Sequence, residues 1–146
     1  MSTHRTADRV FTGHLPPDDT HQRARFVNAI FVDPMGARRP PPARHHVYVV
    51  ELSDAVLRHA KFRRANPHHD PAKPCLYVGM TGLDPQTRFE RHRYGVKDNS
   101  YVRRYGLRLR PDLYADLNPL PYAAAQRMER VLANQLRADG FAVWQN

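Results

Sequence analysis

A chain of 146 residues is long enough to bury one modest core and too short for two independent ones. Lys and Arg number 23 against 14 Asp and Glu, and the resulting net charge of +9 favours a polyanionic partner, of which nucleic acid is the leading example. There is no run of roughly 18 apolar residues, no lipidation signal and no apolar signal-peptide core near the start, so we expect a cytoplasmic protein with no membrane partner.

Residues 1–44 differ in composition from the rest of the chain. They are polar and rich in proline apart from one apolar island, FVNAIFV at residues 26–32, and they end in the stiff run Pro40 to Pro42. Such a composition supports little core of its own. We therefore predict an N-terminal arm over residues 1–44, partly disordered or docked on a single domain that occupies residues 45–146.

The predicted domain begins with a buried strand. From His46 the run HVYVVEL is rich in β-branched and aromatic residues, which suits a strand. Ser53 and Asp54 can then cap a helix that passes through Ala60 and fades into a basic loop. Cys75, the single cysteine, follows that loop, so an intramolecular disulfide and a cysteine-based zinc site are both excluded.

A second strand and a helix occupy the middle of the domain. Residues 75–80 are typical of a buried strand, and its apolar part, residues 76–78, is predicted to run into a glycine turn at Gly79 and Gly82. Asp84 can accept hydrogen bonds from the exposed N–H groups at the start of the next helix, and Pro85 suits its first position. The two strands are expected to pair with each other.

This helix is cationic and carries Arg88, Arg91 and His92. Arg88 and His92 are four residues apart, so they lie on one face of the helix, and that face can bind an anion. Gly95 is suited to ending the helix.

The remaining elements are a short strand, a long helix and a closing strand. Residues 101–106 are ambiguous, and residues 107–109 alternate enough to form a strand. The longest helix is predicted over residues 122–139, because prolines precede it and Gly140 follows it. The run FAVWQN then predicts a last strand. The order of elements indicates a small α/β domain.

Glu129 is the one carboxylate on the apolar stripe of the long helix. It lies four residues after Ala125 and three before Leu132, so it is expected to point toward the core side. A carboxylate there is costly unless it is paired or bound to a metal ion.

These residues, in this order, resemble the GIY-YIG nuclease superfamily. The resemblance rests on HVY at residues 46–48, YVG at residues 77–79, Arg88 with His92, Glu129 on a late helix, and Asn146 in a closing strand. It extends from His46 to Asn146. It implies a compact α/β fold with a small central sheet flanked by helices, and cleavage of phosphodiester bonds with one divalent metal ion, Mg²⁺ or Mn²⁺.

The resemblance also implies roles for individual residues. Tyr48 and Tyr77 match the two motif tyrosines, Arg88 matches the helix arginine, and Glu129 matches the metal ligand. His92 and Asn146 match less obligatory positions. The family pattern is departed from in three places: His46 stands where Gly is usual, Met80 stands where many members have Lys, and the strands are separated by a basic insertion at about residues 54–74.

Phosphodiester hydrolysis requires the same types of residue that the resemblance identifies: a cationic side chain, a metal-binding carboxylate and a base. Negative charge builds up on the phosphoryl oxygens, and a guanidinium such as Arg88 with a metal ion on Glu129 would stabilise it. One glutamate suffices for Mg²⁺, because water and substrate oxygens complete its coordination. The attacking water needs a base, and both Tyr48 and His92 are candidates.

Each assignment has a structural alternative. The two tyrosines could be ordinary core aromatics, Arg88 and Arg91 could form a solvated cationic face, and Glu129 could belong to a structural ion pair. The histidine pairs at residues 45–46 and 68–69 lack the spacing of a structural zinc site, so zinc is not expected.

We therefore predict a metal-dependent endonuclease that acts on nucleic acid, with duplex DNA as the expected substrate. Two alternatives are a non-catalytic nucleic-acid-binding module on the same fold and a nuclease directed at RNA. Contacts to the nucleic acid are expected from residues of the insertion, the central helix and the later segments: Arg58, Lys61, Arg63, Arg64, Arg91, Arg103, Arg104, Arg108, Arg110 and Asn146.

Overall fold

A computed structural model of the chain describes residues 40–95 and 99–146. The arm predicted over residues 1–44 thus lies outside the described residues, except for residues 40–44, which are exposed and belong to no helix or strand. The domain predicted from residue 45 onward contains all of the helices and strands given below.

The described residues form a four-stranded mixed sheet. Its strands are β1 (His46–Leu52), β2 (Cys75–Thr81), β3 (Gly106–Leu109) and β4 (Ala142–Gln145), in the spatial order β3-β1-β2-β4. β1 pairs antiparallel with both β2 and β3, whereas β2 and β4 run parallel. Together with the helices around it, this sheet makes a small α/β domain, and the predicted fold class is confirmed at this level.

Pairing of β1 with β2 brings the two motif tyrosines together. Tyr48 is directly opposite Gly79, and Val50 is directly opposite Tyr77. Because paired residues project from the same face of a sheet, both tyrosines lie on one face as diagonal neighbours. The glycine turn predicted at Gly79 is wrong, since Gly79 lies inside β2, which continues to Thr81.

In the described part of the chain, four α-helices accompany the sheet: α1 (Ala60–Arg64), α2 (Pro85–Arg93), α3 (Ser100–Tyr105) and α4 (Tyr122–Ala138). The predicted starts and ends of α2 and α4 are confirmed. Asp84 accepts a hydrogen bond from the Thr87 N–H over 3.0 Å, and Gly140 follows α4 with a φ of +100°, a conformation that favours glycine. No helix in the described parts of the chain is long and apolar enough to cross a membrane.

Two other helical segments differ from their prediction. The helix expected from Ser53 through Ala60 is divided into a 3₁₀ helix (Asp54–Arg58) and α1, because His59 between them has an extended backbone. The ambiguous segment before β3 is helical as α3, and Asn99 caps it by accepting a hydrogen bond from the Tyr101 N–H over 2.9 Å.

Two asparagine side chains complete the edges of the sheet. The Asn118 amide accepts from the Val47 N–H over 2.9 Å and donates to its C=O over 2.7 Å, along the part of β1 that β3 does not reach. The Asn66 amide does the same at Val143 of β4, over 2.7 and 3.0 Å. Each amide replaces a strand neighbour, so these backbone groups are not left unpaired at an edge.

Candidate active site

Tyr48 and Tyr77 lie side by side over the backbone of Gly79. Each is only 1% exposed, and their ring centroids are 6.0 Å apart. A Cβ atom at residue 79 would lie 2.7 Å from the Tyr48 Oη and 2.9 Å from the Tyr77 Cε1, closer than atoms can pack. Glycine is therefore required at this position so that both rings can rest on the strand.

His92 of α2 contacts both tyrosine rings and is fully buried. Its Nε2 is 2.8 Å from the Tyr48 Oη, and its Nδ1 accepts a hydrogen bond from the Asn99 backbone N–H over 3.1 Å. Both ring nitrogens thus have protein partners. Of the two candidate bases, this arrangement favours Tyr48, because His92 is engaged with Tyr48 itself.

Arg88 precedes His92 by one helical turn and is half-buried. Its positive charge lowers the pKa of Tyr48 and, more weakly, that of Tyr77. The guanidinium therefore acts on the same two phenols that His92 contacts. The shared helix face predicted for Arg88 and His92 is directed toward the tyrosine pair.

The two phenols differ in how readily they ionise. Burial is the main influence on both, and it raises the pKa of Tyr48 to about 12 and that of Tyr77 further. Among the remaining influences, the neighbouring Tyr48 raises the pKa of Tyr77. Tyr48 is accordingly the more easily ionised of the pair.

Glu129 of α4 is 9% exposed and confirms the prediction that it points toward the core side. Burial raises its pKa to about 7, and the charge of Arg130 offsets this only in part. No hydrogen bond or ion pair to its carboxylate is made by any residue in 40–95 or 99–146. Its charge also raises the pKa of both tyrosines, so it belongs to the same electrostatic environment.

The chemistry of Glu129 fits a divalent cation. A buried carboxylate with a raised pKa and no protein donor gains most from a positive charge placed beside it. Within the described residues no group of three or more His, Cys, Asp and Glu side chains is present. A site built on Glu129 would therefore use substrate oxygens and water for its other ligands, which Mg²⁺ accepts readily.

Asn146 belongs to the tyrosine cluster. Its Nδ2 donates to the Tyr77 Oη over 2.9 Å, and its Oδ1 accepts from the Asn99 Nδ2 over 3.0 Å. The contact of Asn146 with nucleic acid remains a prediction, and its hydrogen bond to Tyr77 gives it a second role. Sequence reasoning missed Asn99, although an Asn-Ser pair ahead of a short helical segment is a recognisable helix start.

Most of the basic residues predicted to bind nucleic acid are exposed, and these are Arg58, Lys61, Arg63, Arg64, Arg91, Arg103 and Arg104. Some also have protein contacts. The Arg63 guanidinium donates to the carbonyls of Leu57 and Arg58 over 2.6 and 2.9 Å, and the Lys61 ammonium lies 5.2 Å from the centre of the Trp144 ring. Their exposure is compatible with the predicted contacts to phosphate.

Arg108 and Arg110 belong to a different cluster. Both form ion pairs with Glu51, over 2.6 and 2.8 Å, and Arg110 also pairs with Asp112 over 3.0 Å. Arg110 is therefore occupied within the protein, which disfavours its predicted contact with nucleic acid. The Arg108 side chain remains 68% exposed, and its contact with nucleic acid stays a prediction.

Hydrogen bonds and ring contacts connect Tyr48, Tyr77, His92 and Asn146. Arg88 and Glu129 act on the two tyrosines through their charges. No protein-family model, no curated protein and no solved structure matches this chain.

Proposed function

We propose that the protein is a metal-dependent endonuclease of GIY-YIG type that hydrolyses phosphodiester bonds in nucleic acid, with duplex DNA as its substrate. The observation that carries this proposal is Glu129, a buried carboxylate that has no partner among residues 40–95 and 99–146 and acts on two tyrosines together with an arginine. The order of the motifs along the chain supports the same family.

In this proposal Arg88 binds the scissile phosphate and stabilises the negative charge that develops on its oxygens. Glu129 would hold Mg²⁺ or Mn²⁺, which supplies Lewis-acid stabilisation of the phosphoryl and leaving oxygens when bound. A carboxylate near a phosphate-binding arginine otherwise repels phosphate, so the presence of both Glu129 and Arg88 around the tyrosines suits this chemistry better than simple binding does.

Tyr48 is the proposed general base that accepts the proton of the attacking water. Its pKa of about 12 is too high for a phenolate at neutral pH without help. The charge of Arg88 already lowers this pKa against the effect of burial, and the His92 Nε2 lies 2.8 Å from the Tyr48 oxygen. The positive charge of a bound cation would lower it further during the reaction.

The exposed basic residues would hold the nucleic acid by its backbone. They supply much of the net charge of +9 and give no sequence information by themselves. Binding should therefore weaken steeply as salt is added.

The competing function is a module on the same fold that binds nucleic acid without cutting it. The two are separated by incubating supercoiled plasmid, and in parallel a structured RNA, with the purified protein in Mg²⁺, in Mn²⁺ and in chelator. We expect metal-dependent nicking of the plasmid that is lost in Glu129→Ala and in Arg88→Ala. Glu90→Ala and Arg93→Ala, exposed positions on α2, are matched controls and should cut normally.

Salt-dependent binding with no cleavage of either substrate would overturn the nuclease proposal in favour of the binding module. Cleavage of RNA alone would instead retain the chemistry and change the substrate. Folding of each variant is checked by circular dichroism, so that loss of cleavage is not confused with loss of structure.

A further inference from the structure

Asn99 connects the two tyrosines of the candidate active site. On one side its backbone N–H donates to His92, which in turn contacts the Tyr48 Oη. On the other side its Nδ2 donates to Asn146, which in turn donates to the Tyr77 Oη. These hydrogen bonds are 3.1, 2.8, 3.0 and 2.9 Å long, and Asn99 is the one residue that belongs to both halves.

The direction of the first half is set by the backbone. A peptide N–H can only donate, so the His92 Nδ1 facing Asn99 must be the acceptor. In neutral His92 the proton is then on Nε2, and this N–H points at the Tyr48 Oη. The backbone of Asn99 thereby decides that Tyr48 receives a hydrogen bond from His92.

The direction of the second half is set by the cap of α3. The Asn99 Oδ1 accepts from the N–H groups of Tyr101 and Val102, over 2.9 and 3.4 Å, so the Nδ2 is the end that faces Asn146. The Asn146 Oδ1 must therefore accept this hydrogen bond, which leaves the Asn146 Nδ2 facing the Tyr77 Oη. Tyr77 also receives a hydrogen bond.

We propose that Asn99 is a positioning residue of the active site, which fixes the tautomer of His92 and the orientation of the Asn146 amide so that both phenol oxygens receive an N–H. The oxygen of Tyr48 then receives an N–H from His92, and this favours its role as base. The catalytic part of this inference rests on the proposed nuclease function, whereas the direction of the hydrogen bonds does not.

Asn99→Asp tests the second half with little change of shape. Aspartate keeps an oxygen for the N–H groups of Tyr101 and Val102 and is itself a good helix cap. Its other oxygen replaces the NH₂ that faced Asn146, so the Asn146 amide should turn and present its Oδ1 to Tyr77. Tyr77 would then donate to Asn146 instead of accepting from it.

We expect Asn99→Asp to lower kcat about tenfold while KM for the nucleic acid and the melting temperature stay nearly unchanged. Asn99→Ser keeps the cap without the added charge and should have a smaller effect. When Asn146 is already Ala, adding Asn99→Asp should lower kcat by less than about twofold, because the hydrogen bond between Asn146 and Tyr77 is no longer present to be altered. An undiminished effect there would overturn the proposal, since the new charge would then be acting directly.

Nuclear magnetic resonance gives a readout that needs no cleavage. The ¹⁵N shifts of His92, assigned with His92→Gln, should report an unprotonated Nδ1 and a protonated Nε2. The Tyr77 ¹³Cζ resonance should move in Asn99→Asp and be unaffected by that change when Asn146 is Ala. A proton on Nδ1, or a Tyr77 resonance indifferent to Asn99→Asp, would refute the positioning role. The predicted shifts in a protein that cuts nothing would retain the hydrogen-bond directions and refute only the nuclease.

Discussion

Two glutamates of this domain are buried to nearly the same extent, but only one of them is bound by arginine side chains in the part of the chain that the structure describes. Glu51 is 8% exposed and Glu129 is 9% exposed. Arg108 and Arg110 bind the carboxylate of Glu51 and hold its pKa below the usual range, against the raising effect of burial. Glu129 has no such donors in the described parts of the chain, and burial raises its pKa to about 7.

The difference separates a structural carboxylate from one that is available for chemistry. Glu51 is directly opposite Arg108 in the β1–β3 ladder, so strand pairing alone supplies a partner. Glu129 is on a helix stripe otherwise used for packing, where burial without a partner costs stability. Such a cost is common at functional sites, where groups are arranged for a substrate or cofactor.

Replacement of Gly79 should lower cleavage strongly, and it affects only the Glu129 side of the comparison. In Gly79→Ala the new methyl group would collide with both tyrosine rings. Their displacement should lower cleavage by about 100-fold. Gly82→Ala is the control, because its Cβ would meet only the His45 ring, at 3.4 Å or more. Equal cleavage by the two variants would contradict the role given to the tyrosine pair.

Neutralising each glutamate should change stability in opposite directions. Glu51→Gln leaves two arginines without their anion and should lower the free energy of unfolding by about 2 kcal/mol. Glu129→Gln removes a buried, unpartnered charge and should raise it by about 1 kcal/mol at pH 8 without divalent metal. Urea denaturation measures both. A loss of stability in Glu129→Gln would mean that its carboxylate has a stabilising partner.

The two carboxylates should also make the free energy of unfolding change with pH in opposite directions. The folded pKa of Glu129 is raised from 4.5 to about 7, so the folded protein binds the extra proton and stability falls as pH rises through this window. Between pH 4.5 and pH 7, we expect the free energy of unfolding of wild type to fall by about 2 kcal/mol relative to that of Glu129→Gln. The pKa of Glu51 is lowered, so its contribution is present above pH 4.5 and is lost as pH falls below it.

This pH dependence is measured as the difference in unfolding free energy between wild type and each glutamine variant. Other titrating groups cancel in that difference. A flat profile for the Glu129 pair between pH 4.5 and 7 would contradict the raised pKa.

The smallest predicted effect concerns the arginines themselves. Arg103→Ala and Arg104→Ala should each reduce the slope of log affinity against log salt by about 0.9 for duplex DNA, as expected for one lost phosphate contact. Arg110→Ala should leave the slope nearly unchanged, because Arg110 is bound to both Glu51 and Asp112. Binding is measured by fluorescence anisotropy with labelled DNA. Equal slopes for all three arginine variants would mean that the nucleic acid does not bind at the surface that carries Arg103 and Arg104.

Local sequence signals were sufficient for much of the fold. The apolar runs predicted β1, β2 and β4, and Asp84, Pro85 and Gly140 predicted where helices begin and end. The prediction at Gly79 was wrong because a glycine in a strand and a glycine in a turn look alike in sequence. What distinguishes them is the space under the tyrosine rings, which exists only after β1 and β2 have paired.

The network around Asn99 and the ion pairs of Glu51 were beyond sequence reasoning for a similar reason. Asn99 meets Asn146 across 47 positions, and Glu51 meets Arg108 across 57. Both contacts depend on strand order and register, which no local pattern specifies. The roles of Tyr48 and Tyr77 were predicted only because the order of the motifs resembles a known family. Helix spacing also indicated the shared face of Arg88 and His92 and the unusual position of Glu129.

Cleavage by Glu129→Gln and Glu51→Gln, compared in one assay, tests the central claim most directly. Both variants lose one buried carboxylate, and each is assayed on supercoiled plasmid with Mg²⁺ at a temperature where both are folded. We predict that Glu51→Gln is less stable yet cuts within a fewfold of wild type, whereas Glu129→Gln is at least as stable and loses cleavage by about 1000-fold. Cleavage by Glu129→Gln at the wild-type rate would contradict the assignment of Glu129 to the reaction.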